Sequence, residues 1–134
     1  MTYLKDIKNR LTDMLSGVNN INTVVDDLLL LNNPDVVYGC AVIEHESTVF
    51  SENDNGTIAT YNFTIFVADL DVGNTTDIQS SAEQVIMNLV STLREDYLID
   101  EEITVTPFKH KFTALASGCY ADIGISDFYN TECK

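Results

Sequence analysis

The stretch TIATYNFTIFVADL, residues 57–70, decides the fold. Ala59, Tyr61, Phe63, Ile65 and Val67 alternate with Thr60, Asn62 and Thr64. An extended chain places the first set on one face and the second on the other, which is the pattern of a half-buried strand. Just upstream, Asn53-Asp54-Asn55-Gly56 is turn chemistry, because Asn and Gly accept positive φ. Before the turn, VVYGCAVIE, residues 36–44, is β-rich and apolar on both faces and predicts a central strand. Together the two segments predict a long antiparallel hairpin from Val36 to Leu70.

Outward from the hairpin the period changes. Leu4, Ile7, Leu11, Met14, Leu15 and Val18 recur at helical steps, and Gly17 with Asn19-Asn20 supplies a stop. Ile78, Ala82, Val85, Ile86, Leu89, Val90 and Leu93 form a second stripe, with Thr76 and Gln79 spaced as a capping box, predicting a helix over Asp77–Glu95. ITVTPF and then SGCYADIGISDF, in which Cys119, Ala121, Ile123 and Ile125 alternate with Tyr120, Asp122 and Gly124, extend the sheet. The order helix, strand, strand, helix, strand, strand predicts an α+β fold, a mostly antiparallel sheet with helices packed on one face. Tyr61, Phe63, Ile65 and Val67 are expected to pack against Val85, Ile86, Leu89 and Leu93. With 134 residues the chain suits a single domain, residues 1–134: N-terminal helix 2–17, core 34–128, short C-terminal arm 129–134.

Apolar residues make up 45% of the chain, with six Phe and six Tyr, which is unlike a disordered acidic tail. The net charge is −14, and no Lys or Arg occurs between Leu11 and Leu93. Nucleic-acid binding by phosphate neutralisation needs a cationic stripe, and this sequence has none. No run of about 18 apolar residues and no secretory signal pattern is present, so the expectation is a chain made in a reducing cytosol, with no membrane role. Cys40, Cys119 and Cys133 are odd in number and share no short spacing, which reads as packing residues rather than a disulfide framework or zinc site.

Candidate chemistry is sparse. His110 lies between Lys109 and Lys111, and in a period-two segment Phe108 and Phe112 share its face while the lysines point away as solvated edge charges. Cys119 falls on a buried face, where thiols are usually inert, so a Cys-His pair is disfavoured. His45 sits in Glu44-His45-Glu46, but alternation puts both carboxylates on the opposite face, which disfavours a metal. SENDNGTIATYN, residues 51–62, has Ser51 and Asn62 where a calcium loop needs carboxylates. Asp69 and Asp71 read as loop punctuation before Gly73-Asn74. Asn62 and two other Asn residues match a glycosylation sequon, but Asn62 is mid-strand. The expectation is no enzyme, no cofactor and no metal.

NPDVVYGCAVIE, YNFTIFVADLD, EQVIMNLVSTLRE and TPFKHKFTALASGCYADIGISDF, with Cys133 in a short tail, occur in an order that resembles small structural proteins of tailed phages, especially crAss-like gut phages of Bacteroidetes. The likeness spans residues 34–133; its most specific parts are YNFTIFVADL and PFKHKF…ASG, and it departs from the relatives at Cys119, where a large aromatic is usual. The resemblance implies a fold like that of tail-terminator and tail-completion proteins, or a head-to-tail connector: copies forming a homo-oligomeric ring within the virion, against neck, portal or tail proteins, through which DNA passes without specific binding. Such a ring needs heterologous contacts that close. Candidate inter-subunit residues are the hairpin tip, Glu52, Asn53, Asp54, Asn55 and Gly56, and the segment Phe108, Lys109, His110, Lys111 and Phe112. Asp26, Asp27, Asp69 and Asp71 are the candidate acidic lining of a lumen. Two other classes stay open. A small acidic adaptor or inhibitor would gather carboxylates on one face for a cationic partner. A hydrolase would bring His110 or His45 together with Asp or Cys in a pocket.

Overall fold

The computed structural model describes residues 3–112 and 114–129. Helix α1, Leu4–Ser16, leads into strand β1, Thr23–Val25, a 3-10 turn at Leu28–Asn32, and the hairpin β2, Cys40–Asn53, and β3, Gly56–Leu70. Helix α2, Thr75–Leu93, follows, then β4, Leu98–Ile99, β5, Val105–Lys111, and β6, Ala116–Tyr129. The six strands form one sheet in the order β1-β2-β3-β6-β4, with β5 also paired to β6. All pairings are antiparallel except β1 with β2. The α+β class read from the sequence is the fold observed.

Alternation in β3 explains the layering. Ala59, Tyr61, Phe63, Ile65 and Val67 are buried with Ala41 and Ile43 of β2 and Cys119, Ala121, Ile123 and Ile125 of β6. Ile7, Leu11 and Leu15 of α1 and Ala82, Ile86, Leu89, Val90 and Leu93 of α2 close the same cluster, so both helices lie on one face. Val85 packs at its border, which completes the helix–strand contact expected from the two stripes. Gly118 allows β6 to approach β3 closely: a Cβ there would lie 1.8 Å from the Val67 carbonyl oxygen.

The other face is polar over most of its length. Rows across it are Glu44–Thr64–Asp122, Ser47–Asn62–Gly124 and Val49–Thr60–Ser126. Thr64 donates a hydrogen bond to Asp122 at 2.7 Å, and the Thr60 and Ser126 hydroxyls meet at 2.7 Å. At one end this face carries two small apolar clusters, in which Leu31, Val42, Tyr38, Phe66, Phe108 and Phe112 take part.

Three local expectations differ from the structure, and a fourth falls outside it. The strand read at 36–44 begins at Cys40 and runs on to Asn53. Val36–Gly39 instead lead into it, with the Gly39 carbonyl accepting from the N–H groups of Asn22 and Thr23 and so docking β1, which the sequence reading lacked. The Thr76–Gln79 capping box does not form: α2 starts two residues earlier, at Thr75 with Asn74 as its cap, and Gln79 donates to the Phe108 carbonyl at 3.1 Å. The C-terminal arm beyond Tyr129, with Cys133, lies outside the described residues.

Candidate functional site

The end of β5 holds His110, the described histidine that meets a carboxylate. Alternation fails there because β5 carries a bulge between Phe108 and Lys111, and His110 and Phe112 adopt φ of 54° and 66°. The left-handed backbone sends the phenylalanines inward: Phe108 is 6% exposed, and Phe112 packs edge-on against it. The Lys111 ammonium lies 5.7 Å from the centre of the Phe108 ring. The expected sharing of one face by Phe108, His110 and Phe112 is therefore corrected. Of that five-residue candidate contact, only Lys109, His110 and Lys111 are exposed.

The His110 imidazole reaches Asp71, with Nε2 3.3 Å from Oδ2. The same oxygen accepts from Ser117 Oγ at 2.7 Å and from the Thr75 hydroxyl, and Oδ1 accepts from the Gly73 N–H at 3.0 Å. The Ser117 and Thr75 hydrogen bonds, with lesser help from Gly73 and the His110 charge, hold the Asp71 carboxyl well below the usual carboxylate range, against the opposing effect of burial. Its side chain is fully buried, so Asp71 is corrected from the acidic lining: a carboxylate held by three hydrogen bonds and covered by His110 cannot face a channel.

A serine, a histidine and an aspartate thus meet, but in an order that does not activate a nucleophile. In acyl transfer the histidine lies between the other two and takes the serine proton. Here the carboxylate lies between them, and the serine donates to it. The constellation ties the end of β3, the first turn of α2, the β5 bulge and the start of β6 together.

The remaining expected groups stand apart. His45 packs on Phe63 and places Nε2 2.8 Å from the Thr48 hydroxyl, while Glu44 accepts from the Leu28 N–H. Among the described residues no three His, Cys, Asp or Glu side chains come together as metal ligands. Residues 51–62 are spread along two strands and their turn, so they do not wrap an ion. Cys119 is buried on the helix side and donates to the Gln79 carbonyl at 3.3 Å. Burial pushes its thiol up, and pushes Cys40 up to about 11.

The sequence matches no family model and no curated protein.

Asp26 and Asp27 are exposed at the end of β1; Asp26 lies 3.9 Å from Lys8, and Asp27 caps the 3-10 turn through the Leu29 N–H. Asp69 is at the far end of β3, beside a cleft of about 320 Å³ that Asn20, Asn22, Tyr38, Asp77 and Ile78 also line. The four carboxylates do not form one surface. The tip Glu52–Gly56 is exposed throughout.

Two features escaped the sequence reading. Ser117 gives no signal as a partner of Asp71, because it comes from a distant segment, and Thr75, four residues on, reads only as part of the start of α2. The outer edge of β2 was hidden by the strand's unexpected length: β1 covers only Cys40–Val42, and among the described residues nothing pairs with the outer edge of Ser47–Asn53.

Proposed function

We propose that this chain is a non-enzymatic structural protein of a tailed-phage virion, a subunit of an oligomeric ring that joins the neck to the tail or ends the tail tube. One observation carries the reading. The helix-free face of the sheet is built from β2, β3 and β6, and none of these strands contains a Lys or Arg. Its exposed groups include hydroxyls, amides and the carboxylate of Asp122, with the half-buried Glu44 beside them and Asp100 alongside, where it accepts from the Gly124 N–H; Val49 and Phe128 are its exposed apolar side chains, toward the hairpin tip. Turned toward a channel, such a surface repels the phosphate backbone and lets DNA slide. This face replaces Asp26, Asp27, Asp69 and Asp71 as the proposed lumen lining.

Assembly in this reading uses closing, head-to-tail contacts. The basic turn Lys109–Lys111 on one copy meets an acidic surface on the next. The hairpin tip Glu52–Gly56, five exposed residues with two carboxylates, is the candidate acceptor. Imaging of the protein mixed with portal or tail-tube assemblies tests this: rings docked at one end support it, and a protein that stays monomeric and never docks contradicts it.

The acidic-adaptor reading is favoured by a different observation, the uncovered and carboxylate-flanked edge of β2. A monomer or dimer that binds cationic proteins, with no affinity for virion components, would support that reading over the ring.

A further inference from the structure

We propose that the outer edge of β2, Ser47–Asn53, is a docking site for an extended basic segment of a partner protein, which adds to the sheet as a further strand. This goes beyond the ring reading and does not rest on it.

The edge is open in the sense that strand addition needs. Asn53 and Gly56 close a two-residue turn and pair with one another. In such a hairpin the closing pair is hydrogen-bonded, and alternation then points the N–H and C=O groups of Thr48, Phe50 and Glu52 outward. No described backbone group meets them. Proteins usually blunt such edges with Lys, Pro or an inward charge. No Lys or Pro interrupts Ser47–Asn53, the bulge at Glu46 and the carboxylate of Glu52 lie only at its ends, and Val49 and Phe50 are 51% and 54% exposed on opposite faces of the strand.

Charge selects the occupant. Asp26 and Asp27 stand at one end of the open stretch, Glu46 at the β2 bulge, and Glu52 and Asp54 at the other end. A second copy docking by the same edge is disfavoured, since the antiparallel register with full overlap, Phe50 opposite Phe50, sets Glu46 opposite Asp54 at both ends, and every register brings two carboxylate-flanked edges together. A copy docking by its β5 edge is also disfavoured. Pro107 has no N–H to give, the Phe108 carbonyl is taken by Gln79, and the bulge bends the strand beyond it. A foreign strand with apolar and basic side chains in alternation satisfies the outward backbone groups, covers Val49 and Phe50, and neutralises the flanking carboxylates.

The test uses the full chain and three short synthetic peptides: alternating lysine and valine, the same peptide N-methylated on alternate amides, and alternating glutamate and valine. Binding is followed by fluorescence anisotropy, and amide exchange of the protein by NMR. The lysine peptide is expected to bind and to slow exchange at Thr48, Phe50 and Glu52. The methylated peptide is expected to bind about tenfold more weakly or worse, having lost inter-strand hydrogen bonds, and the glutamate peptide not to bind. The double variant Glu46→Gln, Glu52→Gln is expected to lose affinity several-fold at unchanged melting temperature, roughly the effect of removing exposed charge pairs. Equal binding of the methylated peptide, binding without protection of those amides, or no binding of the lysine peptide overturns the proposal. Dimerisation that protects the same amides overturns it in favour of a second copy. These readouts do not involve virion components, so they succeed or fail separately from ring assembly.

Discussion

Ser117 Oγ lies 2.7 Å from Asp71 Oδ2, joining the start of β6 to the residue that follows β3. This hydrogen bond, with those from Thr75 and Gly73, fixes how α2 leaves the sheet, and a carboxylate at a helix N-terminus is also favoured by the helix dipole. Replacing Asp71 by Asn is expected to lower stability more than replacing His110 by Ala, because the imidazole side chain is 52% exposed and contributes least to holding the carboxylate. Ser117→Ala falls between them. Urea melts of the three variants check the order.

The same group sets a pH dependence. The folded carboxyl titrates below its unfolded value, so its contribution is fully present above the unfolded pKa of about 4. It is lost as pH falls from there through the folded pKa. The stability gap between the wild type and Asp71→Asn should therefore be constant near neutrality and shrink in acid. A gap that widens below pH about 4 contradicts this assignment.

Phe63 and Gly118 test the packing of the central strands. Phe63 is 1% exposed between the helices and the sheet, and Phe63→Ala is expected to cost about 3–5 kcal/mol. Gly118→Ala cannot be accommodated without parting β6 from β3, since the added carbon meets backbone rather than a flexible side chain. Thermal melts should show a large loss for both, and a Gly118→Ala protein of unchanged stability would disprove the close approach.

Cys40 and Cys119 are buried, with thiols pushed up by that burial. Both are expected to resist alkylation in the native protein at neutral pH and to react on unfolding. Peptide mapping by mass spectrometry reads each cysteine separately.

The fold was legible where a buried face imposes a strict period. β3 is covered on one side along its whole length, so its alternation stands out in Ala59, Tyr61, Phe63, Ile65 and Val67. The two helical stripes were equally plain, because each meets that same face. β2 was legible only in its first residues. Its outer half, from Glu46 to Asn53, is exposed at an edge, and the bulge at Glu46 reverses the phase of alternation. β1 has three residues and depends on a carbonyl at Gly39, so no local pattern announces it. His110 was misplaced for a related reason: a left-handed residue turns its side chain away from the period-two direction, toward an aspartate 39 positions earlier in the chain.

Lys109 and Lys111 are exposed and carry no described ion pair. In the ring reading, exchanging both for Glu should leave the fold intact and abolish docking onto a neighbouring copy. Circular dichroism and sedimentation separate the two effects.

The central claim is that copies of this chain close into a ring whose helix-free sheet face lines the channel. Electron microscopy of the protein assembled with portal or tail-tube complexes tests it most directly. The account predicts closed rings at one end of those complexes, with Thr64 and Asp122 turned toward the lumen. Particles without a ring of this chain, or rings with the helices lining the channel, would contradict it.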